Sequence, residues 1–175
     1  AYNRRGSKTG MIDPDMGTWT YAYNALGQLV RQTDAKGQTS TITYDKLGRM
    51  TRRAEADLIS KWYYDTYKYG AACNKGIGKL CQAETSTGYN RTHVYDNLGR
   101  SSSTATTLDT TYTTGVTYDA NGRIATQSYP SSLAVKYVYT TLGYLKEIRN
   151  NNGNALYWQA NSLGGCPERV WPAAL

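Results

Sequence analysis

Bulky and polar side chains alternate around a tyrosine that recurs five times along the chain. The residues two positions before these tyrosines are mostly bulky: Tyr21, Ile42, His93, Val116 and Tyr137. The residues six positions after them are aliphatic with one exception, Ser101: Leu29, Met50, Ser101, Ile124 and Leu145. Because strand side chains point to alternate faces, each tyrosine shares a face with the residue two positions before it. The pattern therefore predicts one strand that ends near each tyrosine and a second strand that begins a few residues later.

A short polar motif separates the two predicted strands. Its full form is Tyr-Asp-x-x-Gly-Arg, and its three full copies are Tyr44, Asp45, Gly48 and Arg49, then Tyr95, Asp96, Gly99 and Arg100, then Tyr118, Asp119, Gly122 and Arg123. Less regular copies span 23–29 and 139–145, and the interval between the first two full copies has room for a degenerate copy near 64–80. An aspartate is suited to accept the backbone N–H groups that follow it, and glycine tolerates positive φ. Each copy therefore predicts a β-hairpin.

The recurrence of one motif along the chain is typical of stacked supersecondary units. We therefore predict an all-β chain, an antiparallel ribbon of repeated β-hairpins with almost no helix, over residues 1–160. Residues 161–175 lack the motif and are predicted to form an atypical tail. The abrupt loss of pattern there motivates the hypothesis that the reading frame shifts or is truncated near Leu163. A single hairpin is only marginally stable, so each is expected to pack against its neighbours.

The composition agrees with a sheet whose packing depends on aromatic rings. The chain has 17 tyrosines and no phenylalanine, and its formal net charge is only +7. Few aromatic residues and a high net charge are typical of disorder, so this balance disfavours a disordered chain. The basic residues are dispersed, with only the doublets Arg4-Arg5 and Arg52-Arg53, which is a poor match to a nucleic-acid-binding stripe. No apolar run is long enough to span a membrane.

The three full copies of the motif resemble the YD-repeat, or RHS-repeat, family. The likeness extends over about residues 13–154, and the stretches Asp13-Pro14-Asp15-Met16-Gly17 and Gly76-Ile77-Gly78-Lys79-Leu80 are similar to segments of bacterial members. These members include polymorphic RHS toxins and the shell subunits of insecticidal toxin complexes. The family's self-cleaving Asp-Pro-x-Gly-Leu segment is missing, since Asp13-Pro14 stands in a different context.

The resemblance implies a structural function without catalysis. In that family the ribbon spirals into a hollow shell that encloses a toxic polypeptide. The implied partners are the rest of the shell and the enclosed toxin, and the implied location is secreted or at the bacterial cell surface. No cofactor is implied.

Two cysteines, Cys73 and Cys81, flank a glycine-rich turn. Because the family is exported, and oxidising compartments permit disulfides, a disulfide between them is one interpretation; two reduced, partly buried thiols are the other. A zinc site is disfavoured, because tetrahedral sites need four ligands and only His93 and Cys166 remain as the usual additional donors. His93 occupies the same repeat position as Ile42 and Val116, which favours a structural role.

Nothing in the chain has the pattern of an active site. The recurring aspartates have a role in their turns, and the motif context of a nucleophile is missing, so we predict that the chain is not an enzyme. Exposed aromatic rings can stack on sugars, and Trp19, Trp62 and Tyr64 are the candidates. The alternative function is therefore a cell-surface β-repeat module that binds carbohydrate.

Overall fold

The computed structural model describes residues 1–160, which form fourteen β-strands and no helix. The strands are β1 Gly10–Asp13, β2 Gly17–Tyr23, β3 Leu29–Thr33, β4 Thr39–Tyr44, β5 Met50–Ala54, β6 Ile59–Tyr64, β7 Leu80–Thr85, β8 Asn90–Tyr95, β9 Ser101–Thr107, β10 Thr111–Tyr118, β11 Ile124–Ser128, β12 Ala134–Tyr139, β13 Leu145–Asn150 and β14 Leu156–Gln159. Their order in the sheet is their order in the sequence. The predicted all-β fold of antiparallel hairpins is confirmed. The predicted tail at 161–175, and with it the hypothesis of a changed reading frame near Leu163, lies outside the described residues.

The strands divide between two compact units, the first of which is Ala1–Thr92 and the second of which begins at His93. The first unit holds β1 to β7 and the start of β8. The second holds the end of β8 and β9 to β14. In both units successive strands run antiparallel, so that each hairpin adds its two strands beside the previous hairpin. This is the arrangement expected of a repeat whose units contact only their neighbours.

The repeat tyrosine has the same register in each hairpin. Its Cα lies opposite that of the residue six positions later: Tyr23 opposite Leu29, Tyr44 opposite Met50, Tyr118 opposite Ile124 and Tyr139 opposite Leu145. A β-bulge precedes each of these pairs, because the outgoing strand carries one extra residue. The interval between the first two full copies holds a further hairpin with a β-bulge at the same place, but its longer connection puts Tyr64 opposite Leu80, sixteen positions later.

Burial follows the alternation that the sequence predicts. On β4 the side chains of Ile42 and Tyr44 are covered while Thr43 between them is exposed. On β10 the exposed residue Thr117 separates Val116 from Tyr118 in the same way. The tyrosine and the residue two positions before it therefore share the better-covered face of each hairpin.

Few side chains among residues 1–160 are buried, and of these Cys73 and Cys81 are the most completely covered. The apolar ones are Ile42, Cys73, Cys81 and Val135, and the polar ones are Ser40, Gln82 and Glu147. A sheet with so little aliphatic core depends on its backbone hydrogen bonds and on side-chain contacts between neighbouring hairpins. Contacts of this kind are made by the motif residues that recur from repeat to repeat within the chain.

Candidate functional site: the contacts between successive repeats

The turn of each repeat is organised by its aspartate. The Oδ1 atom of Asp45 accepts the backbone N–H groups of Leu47 and Arg49, each at 2.9 Å. The Gly48 N–H donates to the carbonyl oxygen of Asp45 at 3.0 Å, and Gly48 has a φ of 80°. This is a four-residue turn that ends in a left-handed residue, a form found in short hairpin loops. Asp96 and Asp119 accept the same pair of N–H groups in their own turns.

The motif arginine is fixed first by its own aspartate. The Nε atoms of Arg49, Arg100 and Arg123 donate to the Oδ2 atoms of Asp45, Asp96 and Asp119 at 2.7, 2.8 and 2.7 Å. One aspartate oxygen thus holds the turn and the other holds the guanidinium group. The arginine side chain is therefore aimed in a constant direction from every full copy of the motif.

That direction is toward the tyrosine of the following hairpin. The guanidinium carbon of Arg49 lies 4.4 Å from the centre of the Tyr64 ring. The corresponding distances are 4.0 Å for Arg100 to Tyr118 and 4.2 Å for Arg123 to Tyr139. At this range a cation is attracted to the face of the ring, and an arginine can also stack on it.

Repeat tyrosines also reach back to the previous hairpin through their hydroxyl groups. Tyr44 donates to the carbonyl oxygen of Leu29 at 2.9 Å, Tyr118 to that of Ser101 at 2.8 Å, and Tyr139 to that of Ile124 at 2.8 Å. Each acceptor is the residue six positions after the preceding repeat tyrosine. For Tyr118 and Tyr139, therefore, the ring receives an arginine while the hydroxyl binds the residue directly after that same arginine.

The motif glycine leaves room for the arginine of the previous repeat. A Cβ atom added to Gly122 would lie 3.4 Å from Nη1 of Arg100, and one added to Gly143 would lie 3.4 Å from Nη1 of Arg123. Both glycines also have positive φ, 80° and 89°. Glycine is therefore favoured twice, by the backbone of its own turn and by the neighbouring guanidinium group. We call the set of aspartate, arginine, following tyrosine and following glycine the inter-repeat contact.

The inter-repeat contact of Arg49 includes an additional acid. Its guanidinium Nη2 lies 2.7 Å from Oδ2 of Asp65, which follows Tyr64 and has a φ of 69°. Asp65 Oδ1 also accepts the Gly78 N–H. Residues 65–79 replace the short turn in this hairpin, and the arginine therefore helps to fix the start of the longer connection.

These hydrogen bonds stabilise the ionised carboxylates. The Arg49 backbone N–H is the main cause that lowers the pKa of Asp45, and the Arg49 side chain is the main cause for Asp65. Burial acts to raise the pKa of Asp96 and of Asp119, but the N–H groups of Arg100 and Arg123 outweigh it and lower both. The side-chain bonds to Asp65 and Asp45 in turn raise the pKa of Arg49. The contact is therefore an ion pair throughout the neutral range.

An additional copy of the turn opens the chain. Asn3 Oδ1 accepts the N–H groups of Arg5 and Ser7, Gly6 has a φ of 79°, and Tyr2 is bridged to Lys8. The Tyr23 hydroxyl donates to the Lys8 carbonyl oxygen, as later tyrosines do to their predecessors. This copy is hard to recognise from the sequence because Lys8 stands where most copies have an aliphatic residue, in addition to Asn3 and Ser7 in place of the aspartate and the arginine. The signal that could have found it is the spacing of 21 residues from Tyr2 to Tyr23, which recurs from Tyr23 to Tyr44.

Of the two candidate cysteines, Cys73 lies in the connection between β6 and β7, and Cys81 lies at the start of β7. Cys73 and Cys81 are joined by a disulfide, with their Cα atoms 5.7 Å apart, and both side chains are almost completely buried. Within residues 1–160, no group of three or more histidine, cysteine, aspartate or glutamate residues is arranged to hold a metal ion. His93 lies on β8, where its Nδ1 is 3.2 Å from the Thr104 hydroxyl oxygen.

The three aromatic candidates for sugar binding are in different surroundings. Tyr64 has one face covered by Arg49, and Trp62 lines the same depression as that pair. Trp19 lines a separate depression, and its ring packs beside Tyr21 with 6.4 Å between the ring centres. Only Trp19 thus keeps an aromatic surface next to a cavity that the inter-repeat contacts do not occupy.

Across the described part of the chain, no helix is long and apolar enough to cross a membrane.

Sequence and structure comparisons agree with the repeat. The RHS Repeat family model matches residues 2–39 and 23–57, which include the additional copy at Tyr2. Residues 2–57 thus match RHS repeats, which confirms the resemblance that the Tyr-Asp-x-x-Gly-Arg motif indicated. No curated protein matches the chain in sequence.

Solved structures share the fold over most of the chain. A crystal structure of TcdB2-TccC3 without its hypervariable C-terminal region has a TM-score of 0.70 at 17% identity, over 89% of this chain and 9% of that one. A crystal structure of TcdB2-TccC3 has a TM-score of 0.68 at 17% identity, over 87% and 9%. A Photorhabdus luminescens Tc holotoxin pore has a TM-score of 0.66 at 16% identity, also over 87% and 9%. The chain thus spans less than a tenth of the length of these proteins.

Proposed function

We propose that this chain is a segment of a shell wall in a secreted toxin complex, which encloses or presents a toxin polypeptide and performs no catalysis. The observation that carries the proposal is the fold likeness to Tc toxin structures, with a TM-score of 0.70 over 89% of the chain. The rest of the shell and the enclosed polypeptide are the proposed partners.

The inter-repeat contact supports this function physically. Neighbouring hairpins are held together by side chains that recur at fixed positions, as in Arg100 to Tyr118 and Arg123 to Tyr139. A structure built from nearest-neighbour contacts can be extended by adding repeats, and its stability grows with each interface. A wall needs this property, whereas a catalytic site needs acids, bases or nucleophiles that converge on one point.

The disulfide between Cys73 and Cys81 supports an exported protein. Disulfides persist in oxidising compartments and are rare in the cytosol. We therefore propose that the chain functions after secretion or at the cell surface.

The test is electron microscopy of the native polypeptide that carries this sequence, combined with limited proteolysis. We expect a hollow particle whose wall contains residues 1–160, and an enclosed segment that trypsin digests only after the particle is opened by acid or denaturant. A solid globular particle, or a particle whose every segment is digested at the same rate, would contradict the proposal.

A second candidate function is a carbohydrate-binding module. One specific observation favours it, the open depression beside Trp19.

A further inference from the structure

A depression of about 340 Å³ opens on the face of the first unit that carries the repeat tyrosines. Trp19 provides an aromatic wall, and most of the other lining residues are polar. The lining side chains that matter here are Trp19, Gln32, Gln38, Ser40, Arg53 and Glu55. The volume is within the range of about 300–1,000 Å³ that is typical of small-molecule sites, and such sites place a few polar groups against apolar walls.

Several of these polar groups have hydrogen-bonding capacity to spare. Within residues 1–160, the side chains of Gln32, Gln38 and Ser40 make no hydrogen bond, although Ser40 is only 8% exposed. The Nε of Arg53 is also buried without a partner among the described residues. Ser40 and the Nε of Arg53 are covered, and covered polar groups are normally paired because unpaired ones cost free energy. A ligand that offers both donors and acceptors would satisfy amide and hydroxyl groups together.

A comparison with the second unit shows that the open amide is particular to this place. Gln127 on β11 has the same repeat position as Gln32 on β3, and its Oε1 accepts a hydrogen bond from the Tyr137 hydroxyl at 3.0 Å. In the first unit Ile42 takes the place of Tyr137 in the register and has no hydroxyl to offer. The Gln32 amide is therefore left facing the depression.

The indole ring of Trp19 is held in a fixed position at the wall. Its Nε1 donates to the Met16 carbonyl oxygen at 3.0 Å, and the ring lies nearly parallel to that of Tyr21, with 17° between the planes. Since its N–H is already used, the ring offers its apolar surface to a ligand. A flat apolar surface beside amides and a hydroxyl suits a molecule with one C–H face and a rim of hydroxyl groups.

We propose that this depression binds a neutral sugar ring, with its C–H face on Trp19 and its hydroxyl groups on Gln32, Gln38 and Ser40. The charges of the site favour a neutral ligand over an acidic one. Arg53 is paired with Glu55 at 2.6 Å, whereas the carboxylate of Asp57 at the rim has no ion pair among residues 1–160. The inference is independent of the shell function, because a wall segment and an isolated module would both carry this site.

The test is a calorimetric titration of the whole chain with four sugars of known composition. Lactose, cellobiose and N,N′-diacetylchitobiose are the neutral probes, and sialyllactose is the acidic one. We expect at least one neutral probe to bind with a stoichiometry of one per chain and sialyllactose to bind at least about tenfold more weakly, since its carboxylate meets Asp57. No heat from any neutral probe, or tighter binding of the acidic one, would overturn the proposal.

Substitutions locate the site. Trp19→Ala is expected to weaken binding by about fivefold or more, because it removes the aromatic surface. Trp62→Ala is the matched control and should leave the affinity unchanged. Gln38→Ala is a second test that keeps the fold, since Gln38 is exposed and only its backbone N–H contributes to the Asp34 turn. Unchanged affinity in both Trp19→Ala and Gln38→Ala, or an equal loss in Trp62→Ala, would show that the sugar binds elsewhere.

Discussion

The guanidinium group of Arg123 lies on the ring of Tyr139, and the hydroxyl of that tyrosine donates to the carbonyl oxygen of Ile124, the residue directly after the arginine. Two adjacent residues of one repeat thus hold both ends of one side chain in the next. The same pairing joins Arg100 and Ser101 to Tyr118. A tyrosine can do this because its body is apolar and its tip is polar, which phenylalanine cannot match.

Replacing the stacked arginine should weaken the attachment of one hairpin to the next. We expect Arg123→Ala to lower the free energy of unfolding by about 1–2 kcal/mol, because it removes a cation–π contact and a partly exposed ion pair. Arg123→Lys should recover little of this loss, since an ammonium group lacks the flat surface that stacks on Tyr139. Urea denaturation followed by circular dichroism measures the change.

The control for the arginine is Arg91, which is exposed on β8. Arg91→Ala removes the same charge and should change the stability by less than about 0.5 kcal/mol. If Arg91→Ala and Arg123→Ala had equal effects, the loss would come from the net charge and the inter-repeat contact would have no special role.

The sequence predicted the hairpins well because they depend on local rules. Asp45 and Gly48 are three residues apart and organise one turn, and alternation places Ile42 and Tyr44 on the same face. Both features are visible in a short window. The copy at Tyr2 is not visible in such a window, because Asn3 supports the same turn chemistry but this copy departs from the motif at Asn3, Ser7 and Lys8.

The function of the motif arginine was not predicted from the sequence. Arg100 contacts Tyr118 across the boundary between two hairpins, and that distance depends on the register with which the hairpins pair. The composition predicted packing that depends on aromatic rings, but not that tyrosine rings would pack against arginine, as they do in the inter-repeat contacts. Trp19 was predicted as a ring that could stack on sugar, but the depression beside it was not predicted. The open amide of Gln32 depends on the pairing of Gln32 with Ser40 on the next strand.

The motif glycine should not tolerate a side chain. We expect Gly122→Ala to lower the free energy of unfolding by about 1–2 kcal/mol, mainly because an alanine at a φ of 80° is strained, while its Cβ would lie 3.4 Å from Nη1 of Arg100. Gly153→Ala is the matched control, because nothing lies within 4 Å of its added Cβ and its φ is outside the positive region. A denaturation curve for each variant decides the matter, and similar losses for the two would argue against the close approach.

Stability should fall in acid as the motif aspartates become protonated. The pKa values of Asp45, Asp65, Asp96 and Asp119 are lower in the folded chain than the ordinary value of 3.8. A lowered folded pKa means that the unfolded chain binds protons more readily, so the stabilisation is present above about pH 4 and is lost as the pH falls below it.

The measurement is the urea midpoint from pH 7 to pH 2.5. Asp119→Asn should make the curve shallower below pH 4 and lower the midpoint at neutral pH, because the ion pair with Arg123 is lost. Asp109→Asn is a suitable control, since Asp109 is exposed in the turn between β9 and β10. An acid profile that is the same in Asp119→Asn and in the parent chain would contradict the role of this carboxylate.

The disulfide should stabilise the longest connection of the first unit. It closes the loop from Cys73 to Cys81, and a loop of this size is expected to contribute roughly 2–3 kcal/mol by restricting the unfolded chain. The same connection carries Gly78, whose N–H fixes Asp65 beside Arg49, so opening the loop should also loosen the inter-repeat contact there.

Mass spectrometry of the alkylated chain, with and without prior reduction, tests whether the bond between Cys73 and Cys81 forms. The double variant Cys73→Ser and Cys81→Ser should then unfold at lower urea, whereas Cys166→Ser should not. A parent chain that alkylates fully without a reductant would show that the two thiols are free.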